Sequence, residues 1–400
     1  MYNSKNNTSL KPLYFIILLS LLLSPYLSFG DFGIPIIIII LILRYGEVIF
    51  YSTFRNFIRC FCLVYMLCML NSIVYSVFGV MELKYALRGI STSINSILFF
   101  LMSFVFLLQY KKKLFDYLSI SFLLAYSIVV FNAFIEFGFS EVLDSVFTIF
   151  SNGVQSTGIE TDSVLETAHG ILLTTPLLAI IYIYSYLEKK ERRLLVLGGL
   201  LLIVSLMAYK RIAIGAMFVI AILYLLRKKI NSFLIVLSGL ISISLMLFFI
   251  AIIKNDFIYE LCYVYDIDLM FRDKLWPAFS NYYDFSINFY GQGWDFITKF
   301  LQENNQRIFG NNIGGLHNDI LKIYIDFGFI GSIIYWSFFL ILIPLNLLKK
   351  GEKDAAFFYW LCQIYFIIIY TTDNALIYLP SQLAANVIPL VHLKKNEMLI

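Results

Sequence analysis

Charge is what this sequence has least of. Across 400 residues only 14% are charged and 60% are hydrophobic, with a mean hydropathy of +0.82. A soluble globular chain carries about 25% charged residues. So few charges cannot cover a water-facing surface, and lipid must be the solvent. The 30 basic and 26 acidic side chains leave a formal charge of +4, with no basic patch interleaved with aromatics, so nucleic acid is not an expected partner. Cysteine is also sparse. Cys60, Cys62, Cys68 and Cys362 lie in apolar stretches and only Cys262 in a polar loop, which excludes a disulfide framework. The Cys60-x-Cys62 pair has no further Cys or His nearby, so no metal and no cofactor is expected. The alternating pattern of an outer-membrane barrel is missing, as is an internal repeat of the kind that marks many secondary transporters.

What the chain does have is long apolar runs. A helix needs about 20 mostly apolar residues to cross the roughly 30 Å of hydrocarbon in a bilayer, and only helices satisfy their own backbone there. Candidate spans lie at 12–29, 33–50, 58–80, 90–109, 118–137, 168–187, 194–209, 212–226, 232–253, 328–348, 355–371 and 376–392. The second is the weakest, because Arg44 and Glu47 sit within it. The first follows Lys5 and Lys11 as a secretory leader would, but it is long for one, and another span follows almost at once. The expectation is an all-α polytopic membrane protein, a single domain over 1–400. It has about twelve transmembrane helices and a large, mostly helical outer loop at 254–327.

Orientation follows from Lys and Arg. A cytoplasmic N-terminus puts Arg55, Arg59, Lys111 to Lys113, Lys189, Lys190, Arg192, Arg193, Arg227 to Lys229, Lys349, Lys350, Lys353, Lys394 and Lys395 all inside, with both termini cytoplasmic. Two long loops then face outward, 138–167 and 254–327. The first carries Glu141, Asp144, Glu160, Asp162 and Glu166 and no Lys or Arg.

Lys210 and Arg211 break this rule, in a tight outer turn between two spans. Two readings fit: an anion site at the outer surface, or side chains that snorkel to lipid phosphates. Lys84 and Arg88 also fall outside, but Glu82 beside them favours a solvated pairing. The long loop carries Arg272 and Lys274, then a Gly291-Gln-Gly293 turn. Next comes His317-Asn318, where Asn318 can cap a helix with Leu321, Tyr324 and Ile325 on its apolar face and Gly328 and Gly331 ending or kinking it. His169 and His392 read as structural. Asp373 and Asn374 sit in the last outer turn.

In this order the pieces resemble the O-antigen polymerase (Wzy) and O-antigen ligase superfamily. The resemblance rests on Lys210-Arg211, Arg272, the Gly291–Gly293 turn, and His317-Asn318 with Leu321, Asp326, Gly328 and Gly331; Asp326 stands where the family pattern has Glu. The Asp373-Asn374 turn is similar to an outer element of many such polymerases. The likeness covers the second half of the chain; the first half matches only in hydropathy. It implies a glycosyltransferase of the inner membrane that joins undecaprenyl-diphosphate-linked repeat units on the outer face. Arg211 and Arg272 would hold the donor diphosphate, with His317 orienting or deprotonating the attacking hydroxyl. Lys210, Lys274, Gly291, Gly293, Asn318, Asp326 and Asp373 would complete substrate binding. Besides the lipid-linked glycan and the bilayer, the implied partners are a chain-length regulator and a flippase.

The chemistry is coherent without the family. Arginine's fork suits phosphate oxygens, fixed cations stabilise a diphosphate leaving group, and an imidazole can accept a hydroxyl proton near neutral pH. Tyr282, Tyr283, Tyr290 and Trp294 either stack on sugars or pack the loop. The polymerase reading is preferred. A ligase transferring the glycan to lipid A–core uses the same donor residues. A lipid-linked oligosaccharide flippase should instead place ionisable residues deep in its spans, facing a cavity.

Overall fold

A computed structural model of the protein describes residues 11–23, 39, 41–42, 55–144, 168–207, 210–267, 269, 271–309 and 315–393. The second expected span with Arg44 and Glu47, the acidic residues Glu160, Asp162 and Glu166, and the side chain of His169 lie outside the described residues. Among the described residues there are helices and turns and no strand.

The helices follow the apolar runs. They are α1 (Lys11–Leu22), α2 (Arg55–Val77), α3 (Leu83–Tyr110), α4 (Leu114–Phe137), α5 (Thr175–Lys189), α6 (Arg192–Met207), α7 (Arg211–Leu225) and α8 (Ser232–Lys254). After them come α9 (Phe257–Val264), α10 (Phe296–Phe309), α11 (Asp319–Ser337), α12 (Ile343–Lys349), α13 (Lys353–Tyr370) and α14 (Leu379–Val391). A π-helical turn, Phe338–Leu342, carries α11 into α12. The expected mostly helical loop consists of α9, the short turns Arg272–Leu275 and Pro277–Tyr282, and α10.

By length and composition, five stretches among the described residues suffice to cross a membrane. They are Ile58–Val77, Leu83–Phe137, Gly170–Lys189, Ser232–Lys254 and Asp319–Lys349. The second holds α3 and α4, folded back at Lys111–Lys113. Three shorter apolar helices, α1, α7 and α14, accompany them.

Burial sorts inner from outer helices. From Ala355 to Cys362 every residue of α13 is buried, so this helix has no polar face to offer water. It packs on α14, which also lies against α3 and α4. The outer helices bury one face and bare large apolar residues on the other. Leu63, Met66, Leu70 and Ile73 of α2 are exposed, as are Leu240, Ile241, Leu245 and Phe248 of α8. An apolar exterior this extensive fits hydrocarbon rather than water; this is a membrane-embedded helical protein.

Three of the basic clusters, at Lys111–Lys113, Lys189–Arg193 and Arg227–Lys229, gather at one end of the bundle. Arg193 reaches Asp116 (3.5 Å), in the turn of α4 that follows Lys111–Lys113. Arg227 bridges Asp354 (2.9 Å) and Glu188 (3.4 Å). Helix α7 then runs about 22 Å, at 1.5 Å per residue, from Arg227 back to Arg211 at the opposite end.

Two helix starts bear on the site. Helix α3 begins at Leu83 rather than near 90, because its first turns lie over the loop instead of lipid. There Lys84 pairs with Glu82 (3.2 Å) and Glu303 (3.3 Å), and Arg88 pairs with Asp295 (3.3 Å). Helix α11 begins at Asp319, where the expected cap places it, and runs past the expected break at Gly328 into the tenth apolar run. Asn318 caps it, its Oδ1 accepting the Leu321 N–H at 2.9 Å, and Gly328 breaks it with φ 73° and ψ −172°. The carbonyls freed by the break are taken up by the loop. Gln292 N–H donates to Ile325 O (2.8 Å) and Gly293 N–H to Asp326 O (2.9 Å), while Phe329 N–H returns to Phe289 O (2.9 Å).

Candidate functional site

The turn after α13, Thr372–Asn374, collects side chains from distant parts of the chain. Each arrives for a local reason. Lys210 caps the start of α7, with Arg211 exposed in its first turn. Cations at a helix N-terminus face the positive end of its dipole, so a counter-charge is needed. Asp373, only 8% exposed, supplies it. Burial alone would push its carboxyl up. The neighbouring His317 ring, the Lys210 charge and the Asn374 N–H outweigh burial and hold it below the ordinary carboxylate value.

His317 stands just before α11 with φ 51°, a left-handed conformation uncommon outside glycine. It is fixed by its own N–H, which donates to Asn374 Oδ1 at 2.9 Å. Its Nδ1 lies 3.9 Å from Asp373 Oδ1, with 37% of the side chain exposed. A reachable imidazole beside a buried carboxylate can take up a proton and have its charge compensated.

Arg272 arrives from the loop. Its Nε and Nη2 donate to Thr372 O (3.2 and 2.6 Å), and its Nη1 donates to Leu269 O (3.2 Å). Three of its N–H groups thus bind backbone carbonyls, one of them next to Asp373. Lys210, Arg272, His317 and Asp373 meet around one turn. Lys274 is exposed, with its ammonium 5.9 Å from the Phe271 ring centre.

Helices α7 and α13 are packed together and joined electrostatically at both ends. Arg227 and Asp354 close one end at 2.9 Å, and Lys210 acts on Asp373 at the other.

No protein-family model, curated protein or solved structure matches this chain. What the site does is therefore argued from its own geometry.

Gly291, Gly293 and Asp326 lie elsewhere. The amides at 292 and 293 already bond the broken α11, so this turn serves the fold instead of presenting a row of N–H groups to an anion. A Cβ at Gly291 would stand 2.6 Å from Gly328 N, and one at Gly293 would stand 2.5 Å from Met81 Cε. Asp326 is fully buried, its Oδ2 accepting the Asp295 N–H at 3.0 Å. Asn318, also fully buried, has a capping role.

The aromatics divide. Tyr282 packs on Phe296 and Phe300, and Tyr283 is 4% exposed, so both hold the loop. Tyr290 is exposed. Trp294 is 2% exposed and stacks on Phe327, with its Nε1–H on Gly89 O at 3.0 Å. His392 packs face-on against Phe358, as its structural reading expects.

Sequence reasoning missed a second polar centre behind the same turn. A cavity of about 260 Å³ is lined by Arg88, Asp295, Asp319, Lys322 and Asn374 among others. Lys322, 5% exposed, reaches Asp295 Oδ1 at 3.2 Å. Arg88 holds the other oxygen of Asp295, and Thr298 donates its hydroxyl to Asp295 Oδ1. The legible signal was a Lys inside an apolar helix, three residues after the capped start of α11.

Proposed function

We propose that this protein is a surface-polysaccharide polymerase, a glycosyltransferase that joins lipid-diphosphate-linked repeat units at the outer face of a bacterial inner membrane. One observation carries the reading: Lys210, Arg272, His317 and Asp373, far apart in sequence, converge on one turn, with Arg211 exposed alongside Lys210. The apolar bundle brings a lipid-borne substrate to that level. The gathering of basic clusters at the opposite end supports a topology of about twelve spans with both termini cytoplasmic.

In the proposed reaction the diphosphate of the donor docks against Arg211 and Lys210. Arg272 fixes the Thr372 carbonyl and adds positive charge beside it. A hydroxyl of the incoming repeat unit attacks the anomeric carbon of the donor glycan. The new glycosidic C–O bond forms as the C–O bond to the diphosphate breaks, and undecaprenyl diphosphate leaves with the electron pair. The hydroxyl proton passes to His317, and Asp373 stabilises the resulting imidazolium. Cations held in a site of low dielectric stabilise the growing charge on the leaving group.

The test is complementation of a host lacking its own polymerase, with glycan length read as a ladder on a gel. Arg211→Ala, Arg272→Ala and His317→Ala each lose the long products while the protein remains in the membrane. Wild-type ladders from all three variants overturn the site. Purified lipid-linked repeat units separate polymerase from ligase, because a ligase elongates nothing without lipid A–core.

A carrier of lipid-linked oligosaccharide is the second reading, and the charged cavity favours it, since ionisable residues facing a cavity are what transport requires. Proteoliposomes decide: a carrier moves labelled lipid-linked units across the bilayer without lengthening them.

A further inference from the structure

The cation cluster does not use the cavity behind it. At about 30 Å³ per water in the liquid, 260 Å³ is the space of roughly nine waters. That is too large and too polar for a packing defect. Its charged lining is balanced, with Arg88 and Lys322 against Asp295 and Asp319. A free anion would face two carboxylates, and a cation would face an ammonium and a guanidinium. Among the described residues no group of three His, Cys, Asp or Glu side chains is placed to hold a metal ion. The lining suits a neutral molecule with many hydrogen-bonding groups.

One acceptor stands ready for it. Asp319 is fully buried; its Oδ2 accepts the Leu376 N–H at 2.7 Å, and its Oδ1 has no hydrogen-bond partner. A buried carboxylate oxygen left so is costly, and a ligand hydroxyl would satisfy it. Gln382 and Lys322 add donors, and the half-buried Phe99 gives an apolar wall for the C–H face of a ring. Arg88, 44% exposed, places the lining in reach of the surface.

We infer that this cavity binds one neutral sugar residue, and that in the proposed reaction the sugar belongs to the acceptor repeat unit. Its role as acceptor site rests on the polymerase reading; its affinity for a neutral sugar does not. Asn374 couples the two centres, since it lines the cavity while its Oδ1 holds the His317 N–H at 2.9 Å. A sugar seated there lies on the other side of the turn that carries the proposed base.

The experiment is saturation-transfer NMR and calorimetry on the full chain in nanodiscs. The probes are methyl glycosides of neutral hexoses, 6-deoxyhexoses and N-acetylhexosamines, with a methyl glucuronide as the charged comparison. At least one neutral glycoside binds, and the glucuronide binds more weakly. Asp319→Asn removes a hydrogen-bond acceptor and lowers affinity at least about tenfold, in line with losing a hydrogen bond to a charged group. Thr92→Phe fills the cavity from α3, leaves the buried acid untouched and abolishes binding, so the test survives misfolding of the first variant. Binding by none of the neutral probes, a preference for the glucuronide, or wild-type affinity in the folded variants overturns the inference. Glycoside binding without any ladder in the complementation assay retains the sugar pocket and removes the polymerase. Ladders without glycoside binding do the reverse.

Discussion

His317 Nδ1 stands 3.9 Å from Asp373 Oδ1, although the two residues are 56 positions apart in the chain. The contact joins the start of α11 to the turn after α13. Asp373 is depressed below its ordinary value, burial being outweighed by the neighbouring His317 ring, the Lys210 charge and the Asn374 N–H. A carboxyl depressed on folding contributes stability that is complete above its unfolded value, about 3.9. That contribution is lost as pH falls through the lower folded value. In detergent, Asp373→Asn therefore melts below wild type at pH 7, and the gap closes as pH falls from about 4. A gap that stays constant down to acid pH contradicts the pairing.

Arg272 tests whether geometry or charge matters at its position. Its three N–H bonds to Thr372 O and Leu269 O need a planar fork. Arg272→Lys keeps the charge and loses that fork. It should cost about 1.5–3 kcal/mol of stability, the range for hydrogen bonds to charged groups, and shorten the glycan ladder. Unchanged melting with a wild-type ladder would show that the fork is dispensable.

Lys322 is buried with Asp295 at 3.2 Å. Removing one member of a buried pair leaves the other uncompensated, at about 3–5 kcal/mol. Lys322→Met should therefore yield much less folded protein. Arg88 still holds Asp295 from the surface side, so the loss should fall short of that figure, and Lys322→Arg, which restores the second cation, is expected to rescue part of it. Fluorescence-detected size exclusion measures both.

Gly291 has φ 95°, and a side chain there meets the backbone of Asp326 and Gly328. The left-handed conformation alone costs a non-glycine residue about 1–3 kcal/mol, and the clash adds to it. Gly291→Ala should lower melting sharply, whereas Gly351→Ala, where the added Cβ meets nothing, carries only the conformational term. Equal effects at the two positions would dismiss the close approach.

What could be read from sequence was local. The Asn318 cap and the Gly328 break follow from residue type and neighbours within one turn, and both are present. So are the apolar helices, whose burial on one face and exposure on the other needs only hydropathy. Pairing across hundreds of residues was not legible. Arg88 read as a partner of Glu82 because Glu82 is near in sequence; its partner is Asp295, presented by a residue at φ 70°. The Gly291–Gly293 turn enters substrate binding only through the family resemblance. Nothing local told that a broken helix 33 residues later would need the amides of this turn. The resemblance assigns Lys210, Arg272, His317 and Asp373 to one site, while their gathering around Thr372–Asn374, and Arg272's contact with a carbonyl there, come only from the fold.

The repair of α11 by the segment 289–293 has a consequence for how the chain is made. A membrane helix with two open carbonyls could not rest in hydrocarbon alone. Here the donors are synthesised first. By the time Ile325 and Asp326 leave the ribosome, the strip that completes them is already present, so this break can close in the order of translation.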